Sequence, residues 1–211
     1  YNHYKVYRKA ENYFEEVNES ASSLMSNYSL FTYPSQFLVT KIERHMRMDN
    51  VEQMYEENDG LFHDFECDKN DTPKFITYVT YRSLSCYYVN KFDEAARWLN
   101  NLLNEVSFKK YPFAQLEIKV ILALQYCLLN DFDLFNQLIN SIQRQLRLLG
   151  KESCDHILVM TKILKIAISD TKKNKETKIK SLVDKIDKSQ KGYFAPTMLL
   201  KLDDNFIKKL S

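Results

Sequence analysis

Five residues in one short stretch carry the side chains from which metal and acid–base sites are ordinarily built: His63, Asp64, Glu66, Cys67 and Asp68. A zinc site needs four donors at separations that let them converge, and a calcium loop needs alternating oxygen donors around a glycine. The cluster fits neither template. With Asp71 close behind, it reads as a solvated helix end, so no metal ligand is assigned. His3, His45 and His156 have no Cys, Ser or acid at a mechanistic spacing and are expected to pack or to face solvent. Glycine at only 60, 150 and 192 excludes a Gly-rich phosphate loop, and neither G-x-S-x-G nor H-E-x-x-H occurs. No catalytic residue and no cofactor is expected.

The cysteines Cys67, Cys86, Cys127 and Cys154 make no Cys-x-x-Cys pair, and a disulfide framework belongs to shorter, denser chains. Free core thiols are expected, and with them a reducing, cytoplasmic setting. The chain opens on Tyr1 without a basic segment followed by an apolar one, so no secretory signal is read. No apolar run approaches the roughly 18 to 20 residues needed to cross a bilayer. No membrane partner is expected.

Charge is unevenly spread. Residues 1–72 hold 7 basic and 14 acidic side chains, net −7; residues 73–150 hold 9 and 6, net +3; residues 151–211 hold 14 and 8, net +6. Lys172, Lys173, Lys175, Lys178, Lys180, Lys185, Lys188 and Lys191 crowd one region, and no Arg follows Arg147. Lysine lacks the planar fork that reads phosphate or guanine bidentately, so a solvated helix face is the simpler reading than a nucleic-acid site.

The elements that would position these residues are helical. Three Gly and four Pro in 211 residues leave few of the breakers that strands and tight hairpins need. Pro34, Pro73 and Pro112 stand 39 apart, each where a helix tolerates proline, in its first turn. Thr72 is positioned to cap the second of these helices. Polar breaks at Asp49-Asn50, Asn90-Lys91 and Asn130-Asp131 separate each first helix from a second. The second helices carry apolar stripes: Phe92, Ala95, Ala96, Leu99, Leu102, Leu103 and Val106, then Phe132, Phe135, Leu138, Ile139, Ile142, Leu146 and Leu149. Gly150 is the expected left-handed end of the last. The stripe from Val51 to Phe65 runs through Asp59-Gly60, where a bend or break is expected. The first helix from Phe113 to Leu129 is apolar on nearly every face, as for a helix with neighbours on both sides.

The predicted organisation is a single helical-repeat domain, with units at 34–72, 73–111 and 112–150. Residues 151–211 follow as a divergent basic cap, with a final short helix after Pro196. Residues 1–33 admit two readings: a partial first unit broken at Asn12, by a shift of 78 residues, or one long helix. On the first reading the chain is part of a longer protein.

Tyr87 to Leu103 resembles the turn and second helix of a tetratricopeptide repeat, in which an aromatic, an acid pair and a small Ala follow the turn; Phe92-Asp93-Glu94-Ala95 supplies that run. Ser83 and Ala123 stand where that family prefers a small residue, and Tyr126 matches its first-helix tyrosine. The units are longer than the family's, Phe135 replaces an expected Ala and the Leu-Gly pair is absent. The resemblance implies an all-α, right-handed array of antiparallel helix pairs, a tetratricopeptide-like α-solenoid. It implies also a non-enzymatic protein- or peptide-binding scaffold, read as the regulatory part of a longer bacterial protein. The alternative is a nucleic-acid-associated protein acting through the Lys-rich C-terminal segment. In the implied geometry Thr77, Tyr81, Leu84 and Tyr88 share a face lining a groove, with Gln115 and Lys119 as polar anchors on the next first helix. Tyrosine suits such a face because it joins a large apolar body to a hydroxyl. Exposed Tyr81 and Tyr88 rings are what that reading requires.

Overall fold

The computed structural model describes residues 6–27, 35–62, 69–150, 154–169, 174–189 and 195–211. Among these residues every regular element is helical: α1 (Tyr7–Asn27), α2 (Ser35–Met48), α3 (Gln53–Phe62), α4 (Thr72–Tyr88), α5 (Phe92–Glu105), α6 (Pro112–Leu128), α7 (Phe132–Leu149), α8 (Asp155–Ala167), α9 (Lys175–Ser189) and α10 (Asp204–Lys209). Two short 3-10 turns, Phe108–Lys110 and Pro196–Leu199, complete them. No helix among the described residues is long and apolar enough to cross a membrane. The chain divides into two compact units, Tyr1–Tyr78 and Val79–Ser211, with the boundary inside α4.

In the first unit α1 runs from Tyr7 to Asn27 without a break at Asn12. Its polar face explains this. Arg44 of α2 reaches both Glu11 and Glu15, Arg47 reaches Glu11 at 3.1 Å, and the Arg44 guanidinium lies 4.5 Å from the centre of the Phe14 ring. Phe14 stacks on Phe37 at 4.9 Å. Helix α3 likewise continues through Asp59-Gly60, a mid-helix glycine costing only roughly 1 kcal/mol.

The second unit is built around α6, which packs against α5, α7, α8 and the 3-10 turn at Pro196–Leu199. Leu116, Ile118, Val120, Ile121, Leu122, Ala123 and Leu124 are all buried, as the continuous apolar run requires. At about 1.5 to 3 kcal/mol for each fully buried large aliphatic side chain, this helix supplies much of the unit's cohesion. On α5 and α7 the buried stripes are Ala95, Ala96, Leu99, Leu102 and Phe135, Ile139, Ile142, Leu146, while Phe132 is exposed.

The helix pairs turn on the same backbone device. Asp49, Asn90 and Asn130 adopt positive φ of 57°, 61° and 57°. The next residue's amide then donates back to the helix just ended: Asn50 to His45 O (3.1 Å), Lys91 to Cys86 O (2.9 Å) and Asp131 to Tyr126 O (3.0 Å). Short polar side chains tolerate this left-handed conformation, which β-branched and bulky residues avoid. Gly150 ends α7 at φ 84° and ψ 139°, a positive-φ conformation open to glycine but not the left-handed helical cap expected.

Other elements differ from expectation. Helix α4 begins at Thr72, with Asp71 rather than Thr72 accepting the Lys74 amide. Beyond Gly150 a further pair forms, α8 packed on α9, with Asn174 at φ 62° directly before α9. The single terminal helix is two pieces, a 3-10 turn at Pro196–Leu199 and α10, because Asp203 caps a new helix by accepting the Phe206 amide at 2.9 Å.

Candidate functional site

The five sequence-derived binding residues fall into different surroundings. Thr77, in the first unit, is half-buried, and its hydroxyl donates to Pro73 O at 3.1 Å. Tyr81 is 0% exposed and Tyr88 8%, so the open tyrosine face required by the binding reading is not there. Gln115 and Lys119, one turn apart on α6, do come together, through Gln145 of α7. Gln145 Nε2 donates to Gln115 Oε1 (3.1 Å) and Pro112 O (2.8 Å), while Lys119 Nζ donates to Gln145 Oε1 and Ser141 Oγ, both at 3.0 Å. Lys119 thus has amide and hydroxyl partners but no carboxylate. Burial pushes its amine below the ordinary lysine value. Ser141, Gln145 and Leu148 share one face of α7, and Leu148 is 82% exposed. Phe113, beside Pro112, is 48% exposed. Lys119 is therefore held by neutral side chains of α7 whose face continues, one turn on, to the exposed Leu148.

A second constellation, absent from the sequence reading, is centred on Glu117. This α6 carboxylate is 6% exposed. One oxygen accepts from His156 Nε2 of α8; the other accepts the Thr197 amide at 3.1 Å and the Thr197 hydroxyl. Hydrogen bonding to Glu117 raises the His156 pKa against the opposing effect of burial. Nearby, Tyr88 Oη donates to Leu199 O (2.7 Å) and accepts from the Lys201 amide (3.0 Å). Tyr88 is buried because the C-terminal segment lies on it. Glu117 and His156 lie 39 positions apart, on α6 and α8, and no local spacing pairs them. The acid that His156 meets is brought to it by the packing of α8 on α6, not by the chain around it.

His45 also has partners. Fully buried, it meets Asn50 Oδ1 at 3.0 Å through Nδ1 and Glu57 Oε1 at 3.2 Å through Nε2, while Lys41 meets the other Glu57 oxygen at 2.8 Å. Burial pulls the Glu57 pKa upward, but the hydrogen bonds from His45 and Lys41 outweigh it and hold the carboxyl down to about 2.

None of the described thiols is poised as a nucleophile. Cys86, Cys127 and Cys154 are free and buried. Burial pushes Cys86 up to about 12 and Cys127 up to about 11; Cys154 is raised by burial and then by the Glu117 and Asp155 charges. A protonated thiol beside a histidine already committed to a carboxylate lacks the thiolate that nucleophilic attack needs. Among the described residues no three or more His, Cys, Asp or Glu side chains are grouped to hold a metal ion. The His63–Asp68 cluster lies outside the described residues.

On α9 the basic side chains are partly engaged: Lys175 Nζ donates to Ala167 O at 2.7 Å and Lys180 lies 3.8 Å from Asp204. Lys178 and Lys185 are exposed. Comparison of the chain with protein-family models, with curated proteins and with solved structures finds no match.

Proposed function

We propose that the chain is a non-enzymatic, tetratricopeptide-like scaffold that binds a protein or peptide partner. The observation carrying this reading is the Gln115–Lys119–Gln145 cluster, on an α7 face that also presents the exposed Leu148. Burial disfavours the charge on the Lys119 amine and its neutral partners do not restore it, so an incoming carboxylate that pairs with it is favoured, and a desolvated charge pair is worth more than a surface one. The exposed Leu148 supplies the apolar contact that usually accompanies such an anchor. The partner segment is therefore acidic with an adjacent apolar side chain.

The test is fluorescence anisotropy with a panel of short peptides that pair an Asp or Glu with Leu or Phe. Binding that weakens by about tenfold or more in Lys119→Met, with helical circular dichroism unchanged, supports the reading. Equal binding by the variant, or none across the panel by the unaltered chain, sinks it.

A further inference from the structure

The segment from Ala195 to Lys201 is held as a receptor holds a peptide. Of its four polar contacts to the end of α4 and to α6, three use the segment's own main chain: the Thr197 amide to Glu117, the Leu199 carbonyl to Tyr88 and the Lys201 amide to Tyr88. Only the Thr197 hydroxyl, also on Glu117, is a side-chain contact. Chain that completes a core as a regular helix pairs these groups within itself. Here the partners of the Thr197 amide, the Leu199 carbonyl and the Lys201 amide are side chains of other helices, a carboxylate and a phenol that receive main-chain groups of a segment wound into a single 3-10 turn.

Between those polar points Ala195, Pro196, Leu199 and Leu200 are buried. Beyond them α10 adds Phe206, Ile207 and Leu210, with the Lys209 ammonium 4.9 Å from the Tyr87 ring centre. A six-residue helix does not persist without such packing, so α10 depends on the seat it occupies.

We propose that Ala195–Ser211 is a displaceable self-ligand. It covers a docking face made by Tyr88 and Glu117, whose other occupant is a partner peptide of the same chemistry: a hydroxyl residue followed, two positions on, by leucines. The face selects against charge. Glu117 sits where the hydroxyl arrives, so a phosphorylated or acidic residue at that position is repelled. The proposal rests on the scaffold reading, but it uses a different part of α6 from Lys119, and the two fail separately.

The test uses the full chain and a fluorescein-labelled synthetic peptide with the sequence of residues 195–211. Hydrogen exchange on the unaltered chain comes first: the amides of Thr197 and Lys201 are expected to open in mild denaturant well before those of α6. In Thr197→Val/Phe206→Ala the seat is intact but its occupant is weakened, and the peptide is expected to bind at least about tenfold more tightly than to the unaltered chain. Adding Glu117→Ala removes that gain, and a peptide phosphorylated at the threonine does not bind. Opening of the Thr197 and Lys201 amides only together with α6 overturns the proposal, as does a folded double variant with no gain in peptide binding. If the peptide binds while no acidic peptide engages Lys119, the scaffold reading at Lys119 falls and the self-ligand stands.

Discussion

Glu117 concentrates the consequences of single-residue chemistry. A buried carboxylate is tolerated only because His156 and Thr197 satisfy both of its oxygens, and replacing it by glutamine weakens the first and inverts part of the second. Glu117→Gln is expected to cost about 1 to 3 kcal/mol in urea unfolding. The pH dependence has a definite sign. The folded His156 pKa lies above its ordinary 6.5, so the pair contributes fully below that value and its contribution is lost as pH rises through the folded one. The urea midpoint is therefore expected to fall from about pH 6 to pH 9, and to fall less in Glu117→Gln. Glu57 works in the opposite range. Held down to about 2 from 4.5, it contributes above 4.5 and the contribution is lost as pH falls through about 2. Its side chain is 38% exposed, so solvent screening keeps the effect modest. Glu57→Gln is expected to flatten the acid side of the stability profile, read from unfolding midpoints across that range. The sequence placed His45 and His156 without partners because a partner 12 or 39 residues away becomes a neighbour only once helices pack.

At the scale of elements, the turns were the most legible feature. Asp49, Asn90 and Asn130 were recognisable as breaks, and each takes up the left-handed conformation that short polar side chains tolerate. Asn90→Ala or Asn130→Ala is expected to cost about 1 to 2 kcal/mol, with the glycine variants close to the unaltered chain; thermal or urea unfolding measures both. Helix contacts supply a second prediction. The Ser83 hydroxyl donates to Ala95 O at 3.2 Å, a contact that requires a small residue at 83. Ser83→Leu is expected to destabilise by about 1 to 3 kcal/mol through overpacking between α4 and α5. Thr72 and the last helix were misread for a shared reason. Which of two adjacent polar residues caps a helix depends on where the first turn begins, and a hydrophobic pattern fixes that only to within a residue or two.

For the molecule as a whole, charge asymmetry is the property with an immediate consequence. The basic side chains of the C-terminal third are all lysine, and Lys175, Lys180, Lys201 and Lys209 already have partners within the chain. Association with a single-stranded oligonucleotide is expected to be weak, non-specific and lost by about 0.15 M salt in an anisotropy titration, because it depends on counterion release alone. Binding that persists there would restore the nucleic-acid alternative.

The sequence by itself determined the helical class, the positions of the turns and the burial of α6, because each follows from local preference or from a periodicity of a few residues. Tertiary structure decided what the candidate binding residues do. Tyr88 reads along the chain as an open binding residue, and a segment more than one hundred positions away covers it. Lys119 reads as one anchor among several, and α7 gives it neutral partners in place of an acid. Glu117 reads as one charge in an apolar helix, and α8 with the C-terminal segment makes it the centre of a network. Polar pairing is short-ranged in space and indifferent to distance along the chain, so it is settled only when the helices meet.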